Sequence, residues 1–239
     1  MHPDMTDDPR HRPARAPIVL AIEGLCFAGK TTLAHALATQ RGAVAIPEYA
    51  QLAALPPWPP RHREDVLVAL RHFLHLERQR AALARRGPGT LVVLDRSPLS
   101  LIAHEFGMDR LGVPAAPEFA AHLFTEAAQR GLILTPDAYA YLRVPASVSA
   151  ARQARRGPVP AHLIDPRAQT GIEAASHFYL DAVPPRRRLR LEDTAQVSDL
   201  LHAVDRLLVE LPAPGEQTVP SWHILASAAL APGDDKRSA

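Results

Sequence analysis

The chain has 239 residues, 47% hydrophobic and 22% charged, which is enough apolar material for one large core and excludes wholesale disorder. A formal charge of only +2 argues against a nucleic-acid coat or a polybasic membrane binder, both of which need an uncompensated basic face. A single cysteine, Cys26, permits no internal disulfide, and no apolar run approaches the ~20 residues that cross a bilayer.

Residues 1–16 are polar, charged and proline-bearing, with no apolar signal stretch. They are expected to be a flexible leader, and the protein is expected to be cytoplasmic, without membrane or nucleic-acid partners. The main domain is expected over 17–211. Its first β-type run, 18–23 (IVLAIE), enters Gly24-Leu-Cys-Phe-Ala-Gly29-Lys30-Thr31, a full G-x-x-x-x-G-K-[ST] phosphate loop. A helix from Thr31 to about Gln40 follows. Gly24 and Gly29 let the backbone curl around an anion, and the helix N-terminus adds its dipole. Lys30 then reaches the β- and γ-phosphates, and the Thr31 hydroxyl suits Mg²⁺; Ala28 and Thr32 belong to the same cradle. Of the 27 basic residues, lysine stands only at Lys30 and Lys236, which singles out the loop lysine. Cys26 reads as a tolerated small residue at a variable loop position.

A second run, 43–46, ends in Pro47-Glu48-Tyr49. A long helix is predicted over about 61–86, with Leu67, Leu70, Leu74 and Ala81 on one face. His72, His75 and Glu77 on it lack a third convincing ligand and read as surface residues. The third run, 90–95, closes on Asp95-Arg96-Ser97. A carboxylate at the tip of an apolar strand beside a phosphate loop is suited to managing Mg²⁺. Glu48 and Asp95 at two strand tips suggest divided labour between metal and acceptor hydroxyl, with either assignment open. Arg96 would clamp a phosphoryl group or simply pair with a carboxylate. His104 and Phe106 line the acceptor pocket or pack in the core.

After the fourth run, 138–144, Arg152, Arg155 and Arg156 share a helix face within 145–157. They form either a solvated arginine face or a lid that closes over phosphates, with a proline-bearing hinge at 158–167. A fifth run, 188–192, precedes Asp193-Thr194. A helix over 197–211 is followed by a proline-rich tail, 212–239, in which only 221–231 is expected to order. Alternating strands and helices imply right-handed βαβ units, an open parallel sheet covered on both faces, and ligands at the carboxyl ends of the strands.

These motifs resemble the P-loop nucleoside and nucleotide kinases, especially thymidylate kinase and the deoxynucleoside kinases. The carriers are Ile22-Glu23-Gly24 before the loop, Asp95-Arg96-Ser97-x-x-Ser100-x-x-Ala103, the arginines of 152–157, and Asp193-Thr194. The resemblance implies an α/β P-loop NTPase three-layer sandwich: a five-stranded parallel sheet in the order 2-3-1-4-5 with an Arg-bearing lid. It also implies ATP with Mg²⁺, and γ-phosphoryl transfer to a small-molecule acceptor, a nucleoside or nucleoside monophosphate. By the same match Glu48 and Arg96 stand near the acceptor and Asp95 near Mg²⁺ or the sugar. Arg152, Arg155 and Arg156 would face the donor phosphates, and Asp193 the adenine. Pro47-Glu48-Tyr49 reverses the usual Glu-Pro order and is closer to nicotinamide riboside kinase-type proteins, which leaves the acceptor open. A kinase of a non-nucleotide metabolite or antibiotic, and a regulatory ATPase or switch, are the alternatives; a homodimer is also left open.

Overall fold

The structure, a computed structural model, describes residues 16–87, 89–156, 159–192, 196–212, 216 and 218–228. The strands are β1 (Ile18–Glu23), β2 (Val44–Ile46), β3 (Leu91–Asp95), β4 (Ala138–Arg143) and β5 (Arg188–Glu192). They form one sheet in the order β2-β3-β1-β4-β5, with every pairing parallel. The central runs are apolar at successive positions because both faces are covered. Leu20, Ile22, Val93, Ala140 and Leu142 point to one core, shared with Leu33 and Leu37 of helix α1 (Lys30–Arg41) and Leu201 and Val204 of α8 (Val197–Glu210). Ala21, Val92, Leu94, Tyr139 and Tyr141 point to the other.

That second core is covered by α3 (Arg63–Arg86), α4 (Pro98–Arg110), α5 (Pro117–Gln129) and α7 (Pro166–Ala182). A short α2 (Tyr49–Leu52) follows β2, and α6 (Ala146–Arg156) follows β4. Helices α4 and α7 cross closely: a Cβ on Gly107 would lie 2.7 Å from the Ala168 carbonyl oxygen, and one on Gly171 2.8 Å from that of Phe106. Both helices start with side-chain caps and a proline in the first turn. The Ser97 hydroxyl accepts from Leu99 N, and the Asp165 carboxylate from Arg167 N. Near the C-terminus, Trp222–Leu225 forms a 3-10 turn with Trp222 and Leu225 buried. The indole Nε1 donates to the Tyr139 hydroxyl at 3.1 Å, and the Tyr179 hydroxyl donates to the Pro220 carbonyl at 2.7 Å.

The predicted strands and the helices following the phosphate loop, β2, β4 and β5 lie within two residues of their observed bounds. One expectation needs correction. Glu77 is not on the surface but completely buried. It shares the inward stripe of α3 with Leu70, Ala81 and Ala84, and its charge is matched there by Arg80. Asp193, Thr194 and most of the leader lie outside the described residues.

No helix among the described residues is long and apolar enough to cross a membrane.

Candidate active site

The phosphate loop lies between the carboxyl end of β1 and the first turn of α1. Gly24 has φ 137°, and a Cβ there would sit 2.3 Å from the Leu142 carbonyl oxygen. Only glycine lets the loop leave β1 against the end of β4. Gly29 has φ 96° and caps α1 in the left-handed region. Ala28 is buried between the loop and the sheet, Lys30 is 5% exposed, and Thr32 is exposed on the first turn.

Lys30 Nζ donates to the Leu25 carbonyl at 2.6 Å, which holds the ammonium across its own loop. Burial, reinforced by Arg96, lowers its pKa to about 8; Cys26, Asp95 and Glu48 oppose the shift. Thr31 Oγ1 donates to Asp95 Oδ2 at 2.5 Å, so the loop and the β3 tip meet directly. Asp95 Oδ1 is buried and without a hydrogen-bond partner.

A hydroxyl beside a carboxylate with one unused acceptor is a hard-oxygen donor set that fits Mg²⁺. Among the described residues no group of three or more His, Cys, Asp or Glu is placed to hold a metal. That pattern suits an ion that takes its other ligands from phosphate and water.

The turn after β3 carries Arg96 and meets the tip of β2. Arg96 adopts φ 69°, a left-handed backbone that costs a non-glycine residue about 1–2 kcal/mol. Its Nε lies 3.3 Å from Glu48 Oε2, an ion pair between the tips of β3 and β2 that is only part-buried. Arg96 Nη1 also donates to Ser100 Oγ at 3.3 Å and to the Gly24 carbonyl at 3.4 Å. Burial pulls the guanidinium pKa down. Cys26, Glu48, Glu23 and Asp95 more than reverse that, so it stays above its ordinary value.

Beneath this pair lies Glu23, 2% exposed, which sequence reasoning quoted in a motif without giving it a role. Its Oε1 accepts from Ser97 N at 2.9 Å and Ser97 Oγ at 2.5 Å, and its Oε2 accepts from Ser100 Oγ. Burial raises the Glu23 carboxyl, against the two serine hydroxyls and the Arg96 charge. The available signal was the one used for Asp95, an acid closing an apolar strand.

Arg80, Glu77 and Tyr49 were missed too. Arg80 is completely buried; its Nη2 donates to the Asp95 carbonyl at 3.0 Å and the Arg96 carbonyl at 2.6 Å, and its Nη1 to Glu77 Oε1.

The arginine helix is only partly gathered here. Arg152 Nη1 donates to the Phe27 carbonyl at 2.9 Å, and Ser149 Oγ to the Cys26 carbonyl at 3.4 Å, so α6 lies against the phosphate loop. Arg155 and Arg156 are exposed. Beyond α6 the predicted hinge contains a 3-10 turn, Ala161–Leu163. His162 there is buried, with its ring 3.7 Å from Trp58 and 5.4 Å from His104 of α4. Burial, and secondarily His104, lowers the His162 pKa to about 4. Phe106 sits in the core, and His104 is half-buried at its edge.

Comparison with known proteins agrees with this fold. A family described as AAA domain matches residues 24–165. No curated protein sequence matches the chain. Among solved structures, a deoxyadenosine kinase from M. mycoides with dCMP and dCDP superposes with a TM-score of 0.61 at 17% identity, covering 80% of this chain and 99% of its own. Thymidylate kinase from Candida albicans gives 0.55 at 15% identity, over 82% of this chain and 94% of its own. That from Ehrlichia chaffeensis gives 0.51 at 16%, over 81% and 99%. The chain therefore belongs to the AAA domain family and carries the fold of the P-loop nucleoside and nucleotide kinases.

Proposed function

We propose that the protein is a kinase that moves the γ-phosphoryl of Mg-ATP to the hydroxyl or phosphate of a nucleoside or nucleoside monophosphate. The observation that carries this reading is the pairing of Glu48 with Arg96 at the strand tips beside the phosphate loop. A switch that only hydrolyses ATP has no need of a part-exposed acid–arginine pair joining the tips of β2 and β3 beside the loop. Support comes also from the fold, which the deoxyadenosine and thymidylate kinases share.

Thr31 and Asp95 would hold Mg²⁺, which when bound neutralises charge on the phosphates. Lys30 would lie along the donor phosphates, and Arg152, already against the loop, would meet charge developing on the transferred group. For a nucleoside acceptor, Glu48 takes the hydroxyl proton as that oxygen attacks the γ-phosphorus and the bond to the β–γ bridging oxygen breaks, releasing ADP. Arg96 keeps the Glu48 carboxylate turned toward the acceptor; for a monophosphate acceptor the same guanidinium meets the phosphate.

The test is ADP release with Mg-ATP across deoxynucleosides, nucleoside monophosphates and nicotinamide riboside, repeated with Lys30→Ala. Acceptor-dependent release that Lys30→Ala abolishes, with the fold intact by circular dichroism, is the expected result. Transfer that survives the substitution, or hydrolysis that no acceptor accelerates, overturns the proposal; the second would favour a regulatory ATPase.

A further inference from the structure

The Glu48–Arg96 pair hangs at both ends on one buried assembly. Tyr49, the residue after Glu48, donates its hydroxyl to Glu77 Oε1 at 2.6 Å. Glu77 accepts from Arg80 on the same oxygen, and the Arg80 guanidinium lies 4.7 Å from the centroid of the Tyr49 ring. At the other end, Arg80 Nη2 bridges the carbonyls of Asp95 and Arg96. Those carbonyls flank the left-handed residue, where β3 has ended and α4 has not begun. Arg80 supplies the donor that this backbone requires inside the core. From the other side Arg96 N donates to the Ile22 carbonyl at 3.1 Å, so the turn is pinned from β1 and from α3.

A buried ion pair is poor stabilisation compared with apolar packing, so the stability of α3 does not explain Glu77 and Arg80. What an apolar pair could not do is hold two consecutive carbonyls in a left-handed turn, and fix that turn's distance from the residue after Glu48. We propose that Arg80, anchored by Glu77 and Tyr49, is a positioning residue that sets the Arg96 backbone and thereby the Glu48–Arg96 pair for phosphoryl transfer. It touches neither nucleotide nor acceptor. The inference rests on the kinase reading above, since its effect on rate passes through Glu48.

Arg80→Lys keeps a charge for Glu77 but replaces the planar fork with a single nitrogen, whose three N–H groups leave one point and do not span the separate positions that Nη1 and Nη2 occupy. With the best acceptor of the panel, its kcat is expected to fall about 30- to 100-fold, as displaced catalytic groups do. The KM for ATP should stay within about twofold, because the phosphate loop is untouched. A merely structural role predicts additive losses. A role through the pair predicts that Arg80→Lys costs less than about twofold in a Glu48→Gln background. Glu77→Gln/Arg80→Met removes both charges together and is read in the same way should the lysine variant fail to fold. A folded variant with wild-type kcat, or a loss equally large in Glu48→Gln, overturns the inference. If the wild-type protein phosphorylates nothing in the panel, the kinase reading fails by itself. The amide resonance of Ser97, next to Arg96, then decides: a shift in Arg80→Lys supports the positioning role, and an unmoved resonance overturns it.

Discussion

At the tips of β1 and β3 and the start of α1, Glu23, Asp95, Ser97 and Lys30 are buried. Glu23 accepts from Ser97, Asp95 accepts from Thr31, Lys30 donates to its own loop, and Arg80 locks the turn from behind. Across the phosphate loop, α6 reaches the same site through Ser149 and Arg152, while Arg155 and Arg156 stand exposed. The first region has its groups fixed before any substrate arrives, which avoids reorganisation during reaction. The second meets the loop through side-chain bonds to two loop carbonyls, contacts that an element can break and remake at small free-energy cost. On the proposed kinase reading, preorganised chemistry would lie on the strand tips and an adjustable cover on α6, and substitutions on the two sides should then behave differently.

The sharpest test falls on the fixed side. Asp95→Asn retains an acceptor for the Thr31 hydroxyl but loses the charge, so kcat should fall about 10³-fold while the thermal midpoint moves little. An equal loss from both activity and stability would show that the carboxylate is structural. On α6, Arg152→Ala should lower kcat about 10-fold with a stability change within about 0.5 kcal/mol, measured by urea denaturation. An Arg152→Ala loss as large as that of Asp95→Asn would break the distinction between the two regions.

The smallest effect is in pH. The folded pKa of Lys30, about 8, lies below the usual lysine value, so the unfolded chain binds the extra proton between about pH 8 and 10. Stability of the nucleotide-free protein therefore rises across that window. Relative to Lys30→Met, which lacks the group, the gain should be on the order of 2 kcal/mol by urea denaturation at pH 7.5 and 9.5. Identical slopes in the two proteins would mean that the loop does not desolvate its lysine.

Much of this was legible in the sequence, for reasons that can be named. The strands show because each covered strand is an apolar run ending in a chemically distinct residue, Glu23 or Asp95. The phosphate loop shows because its glycines are demanded by backbone contacts, such as Gly24 against Leu142. Helices α4, α5 and α7 did not show. Helix α4 is apolar around most of its circumference and presents no clean 3.6-residue stripe, although Ser97-Pro98 and Asp165-Pro166 were start signals for α4 and α7. Arg80 was hidden for a different reason. In a chain whose basic residues are nearly all arginine, a buried arginine on a long helix looks like any solvated one. Glu77, three residues earlier, has the spacing of a surface ion pair and forms a buried one. Burial of charge depends on what lies opposite, and the sequence of one helix does not carry that.

The two tryptophans stand at separate joints of the fold. Trp222 is enclosed by the C-terminal turn with its indole N–H bonded to Tyr139, whereas Trp58 lies ring to ring with His162, on the segment between α6 and α7. The protein thus contains its own optical probes. Replacing Trp222 by Phe leaves a single tryptophan, tilted against an imidazole at the place where the chain returns from the arginine helix. Rearrangement of the turn that carries His162 can then be followed by fluorescence in an otherwise unlabelled molecule.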